Sequence, residues 1–372
     1  MSGLFTHGKD SVLKINSGDS LFNNFIWAYN SHQQYKFLHE TGDIATLDKQ
    51  IQISSDADAI PVFNYYEEEK ITNSTHDTVI INAGMEGSYI FQILVHGSCV
   101  LPYPKDKKCI FFSDSSFDRV DASVVNCLPL VWPWFLLEQL ETATSNKNIA
   151  SFINLSRDFQ SKRLFNFCSL IGVERAERDT LVNKLLDKLI NRNFVMQYAS
   201  KTLGQEPIGD IKYALPKYDS YQQFDILNAA SEYYTISKSI PIELYNNSNF
   251  MLVVENQIQD NVDIHVTEKI TKALITGIPF IIVASKGFIE FLHSIGFKTY
   301  NTLWSESYDN LPMNDRFDAI VDLINSLDTF DWSEHTDELA AIANHNKLNF
   351  FNLNKHMISA FEQFDKYIYN VL

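Results

Sequence analysis

Residues 249–282 read NFMLVVENQIQDNVDIHVTEKITKALITGIPFII and contain the alternation of elements that decides the fold. Residues 250–254 are five apolar residues in a row, which is typical of a strand buried on both faces in a parallel sheet. Thr267 is a suitable N-cap for a helix that ends at Gly277. A second apolar strand follows over residues 280–284. The stretch therefore predicts one strand–helix–strand unit with parallel strands.

The polar residues of this unit lie where a ligand would bind. Glu255 and Asn256 leave the first strand at its carboxyl end, and Thr267, Glu268 and Lys269 open the helix that faces this end. A helix start with a lysine and a hydroxyl suits a diphosphate, because unpaired N–H groups and the helix dipole favour an anion. A carboxylate or an amide there suits the hydroxyl groups of a sugar or ribose. The alternative is an ordinary strand–helix–strand unit whose loop is polar.

The same residues resemble the donor-binding motif of the α1,3-fucosyltransferase family. In that motif, Glu-Asn follows a strand, and Thr-Glu-Lys opens a helix that ends in Gly before a strand containing Pro. Phage-encoded glycosyltransferase sequences are similar here, and they continue much as residues 287–309 do, GFIEFLHSIGFKTYNTLWSESYD. The resemblance implies an α/β fold with two Rossmann-like domains facing a cleft, the GT-B arrangement, in which C-terminal helices cross back to the first domain.

The resemblance also implies roles for the residues of the motif. Lys269 would neutralise the diphosphate of a nucleoside-diphosphate sugar, and Glu268 and Asn256 would hold hydroxyl groups of the ribose or sugar. Glu255 would orient the loop, and Thr267 would cap the helix beside the phosphates. The nucleotide sugar would be a co-substrate, with no other cofactor. No metal is expected if cationic side chains carry the charge of the leaving group.

Composition limits the class of protein. A chain of 372 residues exceeds what one core usually supports, so two domains are expected. The formal net charge of −16 argues against a generic binder of polyanions. The four cysteines have no metal-ligand spacing, and no apolar run approaches the roughly 18 to 20 residues that cross a bilayer. We therefore expect no membrane span and a cytoplasmic location, in the host cytoplasm if the chain is phage-encoded.

The expected domain boundaries follow composition and periodicity. Residues 1–150 are predicted to form an N-terminal acceptor-side domain, because a polar linker begins near residue 141. Residues 151–330 are predicted to bind the nucleotide sugar. Residues 331–372 are predicted to form helices that pack back on the first domain.

The predicted second domain begins with an apolar strand over residues 163–170 and then a loop with arginines. The next helix has one apolar face, formed by Leu181, Val182, Leu185, Leu186, Leu189 and Ile190. Fucosyltransferases have an arginine near the start of a comparable helix, and Arg178 matches it. Arg175 is the alternative, and either arginine suits a diphosphate because its planar fork can bond two oxygens.

The candidate general base is a carboxylate of the first domain. Glu86 lies in the loop NAGMEGSY, after a predicted strand over residues 78–81. Fucosyltransferases place a catalytic glutamate in their first domain, so Glu86 is the first candidate, and Asp114, after a predicted strand over residues 109–113, is the second. Such a base would take the proton of the acceptor and give inversion at the anomeric carbon. The alternative for Glu86 is a solvated carboxylate in a turn.

Three questions stay open at the level of sequence. The acceptor is either a modified base in phage DNA, such as hydroxymethylcytosine, or a glycan, as in lipopolysaccharide decoration. Asp56 and Asp58 form an Asp-x-Asp triplet of the kind that metal-dependent glycosyltransferases use, although such triplets are common by chance. A nucleotide-sugar-binding protein without catalytic activity is a further alternative.

Overall fold

The computed structural model describes residues 13–17, 25–26, 29–30, 51–53, 55–56, 59–64, 68–84, 108–113, 127–131, 157–172, 174–198, 201–204, 240–260, 262, 264–352 and 354–367. The chain divides into two compact units. The first unit comprises Met1–Pro133 and Asn354–Leu372, and the second comprises Trp134–Leu353.

The first unit contains a sheet of six strands in the order β2-β1-β3-β4-β5-β6. Its described elements are β1 (Leu13–Asn16), β2 (Ile51–Ile53), β3 (Ile60–Asn64), α1 (Glu68–Asn73), β4 (Thr78–Gly84), β5 (Lys108–Ser113), β6 (Cys127–Val131) and the last described helix, α8 (Asn354–Asp365). All neighbouring strands pair in parallel. Val79, Ile80 and Ile81 of β4 are buried, as expected of a central strand covered on both faces.

An aromatic cluster attaches the last helix to the first unit. Phe361 and Phe364 of α8 pack against the rings of Phe25 and Tyr29. The ring of Phe364 meets that of Phe25 edge to face, with centroids 5.1 Å apart, which is a favoured geometry for aromatic pairs. Helix α8 therefore contributes to the core of the first unit, whose other segment is Met1–Pro133.

The second unit contains a sheet of five strands in the order β11-β10-β7-β8-β9. Its described elements are β7 (Phe165–Ile171), α2 (Ala176–Lys188), β8 (Phe194–Tyr198), β9 (Lys201–Gly204), α3 (Ile242–Asn246), β10 (Ser248–Val254), α4 (Glu268–Thr276), β11 (Phe280–Val283), α5 (Phe288–Ser294), α6 (Met313–Ser326) and α7 (Thr336–Phe351). Only β8 and β9 pair antiparallel among these strands. The described part of the protein is thus a mixed α/β fold with parallel sheets, as the sequence predicts.

The predicted strand–helix–strand unit is confirmed. Strands β10 and β11 pair in parallel with Met251 opposite Phe280, and all five residues of 250–254 are buried. The hydroxyl of Thr267 accepts a hydrogen bond from the N–H of Lys269 and so caps α4. Gly277 ends this helix in the left-handed region, with φ 71°, which a residue without Cβ adopts at low cost.

The apolar face predicted for α2 is correct except at its end. Leu181, Val182, Leu185 and Leu189 are buried, whereas the side chain of Ile190 is 80% exposed. The helix ends at Lys188, and Leu189 has extended backbone angles. Ile190 therefore no longer follows the helical period that placed it on the buried face.

The tail of the chain divides between the units. Helix α7 packs against α4 and belongs to the second unit, where a Cβ on Gly277 would lie 3.0 Å from the Cβ of Ala343. The sequence predicts that the whole segment 331–372 packs on the first domain, but residues 331–353 belong to the second unit. The reason is that α7 buries Leu339 and Ile342 in the core of the second unit.

Candidate functional site

The candidate site lies at the carboxyl edge of the sheet in the second unit. Helix α2 begins after β7 and helix α4 begins after β10, and these two strands are neighbours. Because parallel strands end at one edge, the starts of both helices meet there. This arrangement brings together the predicted residues of the second unit, which are Arg175, Arg178, Glu255, Asn256, Thr267, Glu268 and Lys269.

Three cationic side chains converge on Asn256. The Nη1 of Arg175 donates a hydrogen bond of 3.0 Å to the main-chain oxygen of Asn256. The side-chain oxygen of Asn256 accepts bonds of 3.1 Å from the Nη2 of Arg178 and 3.1 Å from the Nζ of Lys269. Arg178 also donates to the main-chain oxygen of Glu255, at 2.9 Å. A neutral residue thus lies at the centre of a group of positive charges.

Glu255 and Thr267 attach the start of α4 to the end of β10. The hydroxyl of Thr267 donates to one carboxylate oxygen of Glu255, and the N–H of Ile270 donates to the other at 3.3 Å. The N–H of Lys269 donates to the hydroxyl of Thr267 at 3.3 Å. The expectation that unpaired N–H groups receive a diphosphate is therefore wrong for Lys269 and Ile270, because side chains of the protein already bind these groups.

The Glu255 carboxyl group is fully buried, and burial raises its pKa above the usual value. The positive charge of Lys269 and the hydrogen bond from Thr267 oppose this rise. The hydroxyl of Thr267 donates to one carboxylate oxygen of Glu255 and the N–H of Ile270 donates to the other, so both oxygens have a partner inside the protein. The carboxylate of Glu255 therefore links the end of β10 to the start of α4.

Glu268 forms an ion pair with one lysine and is stabilised by the charge of a second. Its carboxylate lies 2.8 Å from the Nζ of Lys269, and the side chains are 14% and 13% exposed, respectively. Burial favours the neutral acid, but the charges of Lys269 and Lys272 outweigh burial and lower the pKa of Glu268 to about 2. Lys272 was missed at the level of sequence. Its spacing of four residues from Glu268 is the signal that predicts such a pair on a helix.

The side chains at the site form two layers. Arg178, Glu255 and Thr267 are at most 2% exposed and lie in the inner layer. The side chains that keep some exposure are those of Arg175, Asn256, Glu268 and Lys269. Arg175 is therefore the more accessible of the two arginines, so it is the better placed to touch a ligand.

A buried arginine that the sequence analysis missed holds the loop after β10. Arg316 of α6 is fully buried, and its Nη2 donates to the main-chain oxygen of Ile258 at 2.9 Å and to a carboxylate oxygen of Asp260 at 2.8 Å. Asp260 also accepts a bond of 2.9 Å from the N–H of Met313 at the start of α6. The only sequence signal for Arg316 is a charged residue beside the apolar positions of an amphipathic helix.

The remaining predicted residues cannot be placed at this site. Glu86, Asp114 and Asp58 lie outside the described residues, and Asp56 is exposed. Within the described ranges, no three His, Cys, Asp or Glu side chains are grouped so that they would hold a metal ion. In the same part of the chain, no helix is both long enough and apolar enough to cross a membrane.

Comparisons with known proteins find similarity among solved structures and none among family models or curated proteins. A scan against models of protein families and a search of curated proteins both find no match, so membership of the fucosyltransferase family is not shown. The solved structures include a similar one, a crystal structure of the DNA-modifying enzyme β-glucosyltransferase in the presence and absence of the substrate uridine diphosphoglucose. It is 9% identical, with 95% of this chain and 98% of that chain covered and a TM-score of 0.38. A likeness at this level says nothing about the chemistry of the site.

Proposed function

We propose that this protein is a glycosyltransferase with a GT-B arrangement, and that its second unit binds a nucleoside-diphosphate sugar. The observation that carries the proposal is the convergence of Arg175, Arg178 and Lys269 on Asn256 at the carboxyl edge of a parallel sheet. Ligands of open α/β sheets bind at this edge, and grouped cations around a neutral residue favour a ligand with adjacent negative charges. A diphosphate has this property.

The proposed roles follow the two layers of the site. Arg175 and Lys269 contact the diphosphate, since both side chains keep some exposure. Arg178 lies behind them and contributes its charge through the low-dielectric interior. Glu268, which stays ionised because its pKa is about 2, accepts a hydrogen bond from a ribose or sugar hydroxyl. Glu255 and Thr267 keep the start of α4 against β10.

The proposed reaction is an inverting transfer that needs no metal ion. The oxygen of the acceptor hydroxyl attacks the anomeric carbon, the bond from this carbon to the phosphate oxygen breaks, and the nucleoside diphosphate leaves. Arg175 and Lys269 stabilise the negative charge that develops on the leaving group. The hydroxyl proton passes to a carboxylate, for which Glu86 is the first candidate and Asp114 the second.

The proposed acceptor is a hydroxymethylated base in DNA, and the alternative is a glycan. A base in a duplex must leave the stack to reach a catalytic cleft. Binding of DNA would weaken steeply as salt rises, because phosphate contacts release counterions. Binding of a neutral glycan would not weaken in this way. Acceptor affinity measured at low and moderate salt therefore distinguishes the two.

A thermal-shift panel of GDP, UDP, ADP and CMP tests the binding step. A ligand at 100 times its Kd adds about 2.7 kcal/mol to the free energy of unfolding. We expect a nucleoside diphosphate to raise the Tm of the wild-type protein and to have a much smaller effect on Lys269→Met. Lys298→Met, which changes an exposed lysine outside the site, is the matched control. If no diphosphate stabilises the wild-type protein, the proposal fails.

Two further measurements separate the proposal from its alternatives. Slow hydrolysis of the bound nucleotide sugar without acceptor would support an enzyme, whereas binding without turnover would support a non-catalytic nucleotide-sugar-binding protein. Loss of turnover in EDTA would support the metal-dependent alternative that uses Asp56 and Asp58.

A further inference from the structure

The side-chain oxygen of Asn256 is fully used by the protein. An amide oxygen has two lone pairs, and here the Nη2 of Arg178 and the Nζ of Lys269 each donate to it at 3.1 Å. The main-chain oxygen of the same residue accepts from Arg175. This oxygen is therefore not available to accept a bond from a ribose or sugar hydroxyl, in contrast to the role that the sequence predicts for Asn256.

The two bonds bring like charges together. The Nη2 of Arg178 and the Nζ of Lys269 each lie 3.1 Å from the side-chain oxygen of Asn256, so the distance between these two nitrogens is at most twice 3.1 Å. The guanidinium of Arg178 and the ammonium of Lys269 repel each other at this separation, and the acceptor that they share offsets this repulsion. Without that acceptor, Lys269 keeps its ion pair with Glu268, at 2.8 Å.

The chemical type of the shared acceptor matters as much as its place. A carboxylate at position 256 would bond both cations more strongly, but it would cancel one positive charge. An amide fixes the same two groups and leaves their charge for a ligand. We propose that Asn256 is a positioning residue that holds the ammonium of Lys269 beside the buried charge of Arg178, so that both charges act on two linked phosphoryl groups. This inference rests on the proposed function, and it assigns the side-chain oxygen of Asn256 to the cations that bind the diphosphate and not to a sugar hydroxyl.

The test uses inorganic pyrophosphate as the probe, titrated calorimetrically into the full chain. Asn256→Ala removes the shared acceptor, so Lys269 is no longer held beside Arg178. The loss of one charge-assisted hydrogen bond from Lys269 to pyrophosphate predicts binding that is weaker by about tenfold to a hundredfold. Asn256→Asp is nearly isosteric and keeps an acceptor. We expect it to bind pyrophosphate at least about tenfold more weakly than the wild type, with a shallower dependence on salt, because one positive charge is cancelled. Should the alanine variant fail to fold, Asn256→Leu, which is nearly isosteric and also lacks the acceptor, replaces it.

A double-mutant cycle with Lys269→Met separates positioning from a merely structural role. If Asn256 acts through Lys269, its replacement by alanine costs little affinity once Lys269 is absent, so the two losses do not multiply. Independent effects would multiply, and they would overturn the inference.

The other outcomes are equally decisive. Wild-type affinity for pyrophosphate in Asn256→Ala would overturn the positioning role, and in Asn256→Asp it would overturn the argument that an amide is needed to leave the charge for the ligand. Either result leaves the proposed function standing, provided that Lys269→Met still loses binding. No binding of pyrophosphate by the wild-type protein would overturn both.

Discussion

Replacing Glu268 with glutamine should weaken the fold and strengthen the binding of anions at once. The carboxylate pairs with Lys269 at 2.8 Å and also interacts with Lys272, and its pKa falls from the usual 4.5 to about 2. A group whose pKa is lower in the folded protein adds stability above its unfolded pKa and loses this contribution as pH falls toward the folded value. The contribution of Glu268 is therefore present at pH 7 and disappears between about pH 4.5 and pH 2.

The size of the effect follows from the two pKa values. They differ by about 2.5, and each pKa unit corresponds to about 1.4 kcal/mol, so the upper limit is about 3 kcal/mol of unfolding free energy at pH 7. We expect Glu268→Gln to lose about 1 to 3 kcal/mol at pH 7, since glutamine retains part of the hydrogen bonding. The difference from the wild type should shrink steadily as pH falls from 5 to 3.

Urea denaturation followed by circular dichroism at several pH values measures this difference. Glu290→Gln is the matched control, because Glu290 is an exposed glutamate in the first turn of α5. Pyrophosphate should bind Glu268→Gln more tightly than the wild type, since Lys269 loses its competing partner, whereas a nucleotide sugar should lose a hydroxyl contact. Equal stability of Glu268→Gln and the wild type at pH 7, or a difference that does not change with pH, would refute the electrostatic reasoning.

Two other predictions concern the framework of the second unit. Burial raises the pKa of Glu306 to about 7, although hydrogen bonds from the hydroxyl of Thr299 and the N–H of Tyr300 act to lower it. Because the pKa of Glu306 is higher in the folded protein than in the unfolded chain, the free energy of unfolding is highest below about pH 4.5 and falls as pH rises through 7. Glu306→Gln should therefore have a higher Tm than the wild type at pH 8 but not at pH 4. Gly277→Ala should destabilise the protein by about 1 to 2 kcal/mol in urea denaturation, because φ is 71° and the new Cβ would lie 3.0 Å from that of Ala343; an unchanged midpoint would contradict this account.

Much of the second unit can be predicted from local patterns. Five apolar residues at 250–254, the cap at Thr267 and the glycine at 277 each depend on neighbours within a few residues, and the structure confirms the strand, the helix start and the helix end. The position of the polar loop at the carboxyl edge of the sheet follows from the same unit, because parallel strands leave their carboxyl ends together. Where such a local pattern stops, as after Lys188, the expectation for Ile190 fails with it.

The sequence by itself therefore determined which elements form in the second unit and which loop carries its polar residues. Only the tertiary structure decided what those residues bond to. Asn256 meets Arg178, which is 78 positions away, and the loop after β10 is held by Arg316, which is 56 positions from its partner Asp260. The physical reason is that the spacing of apolar residues along the sequence indicates which side of a helix or strand is buried. A hydrogen bond between residues far apart in the sequence depends instead on how the strands and helices pack in three dimensions.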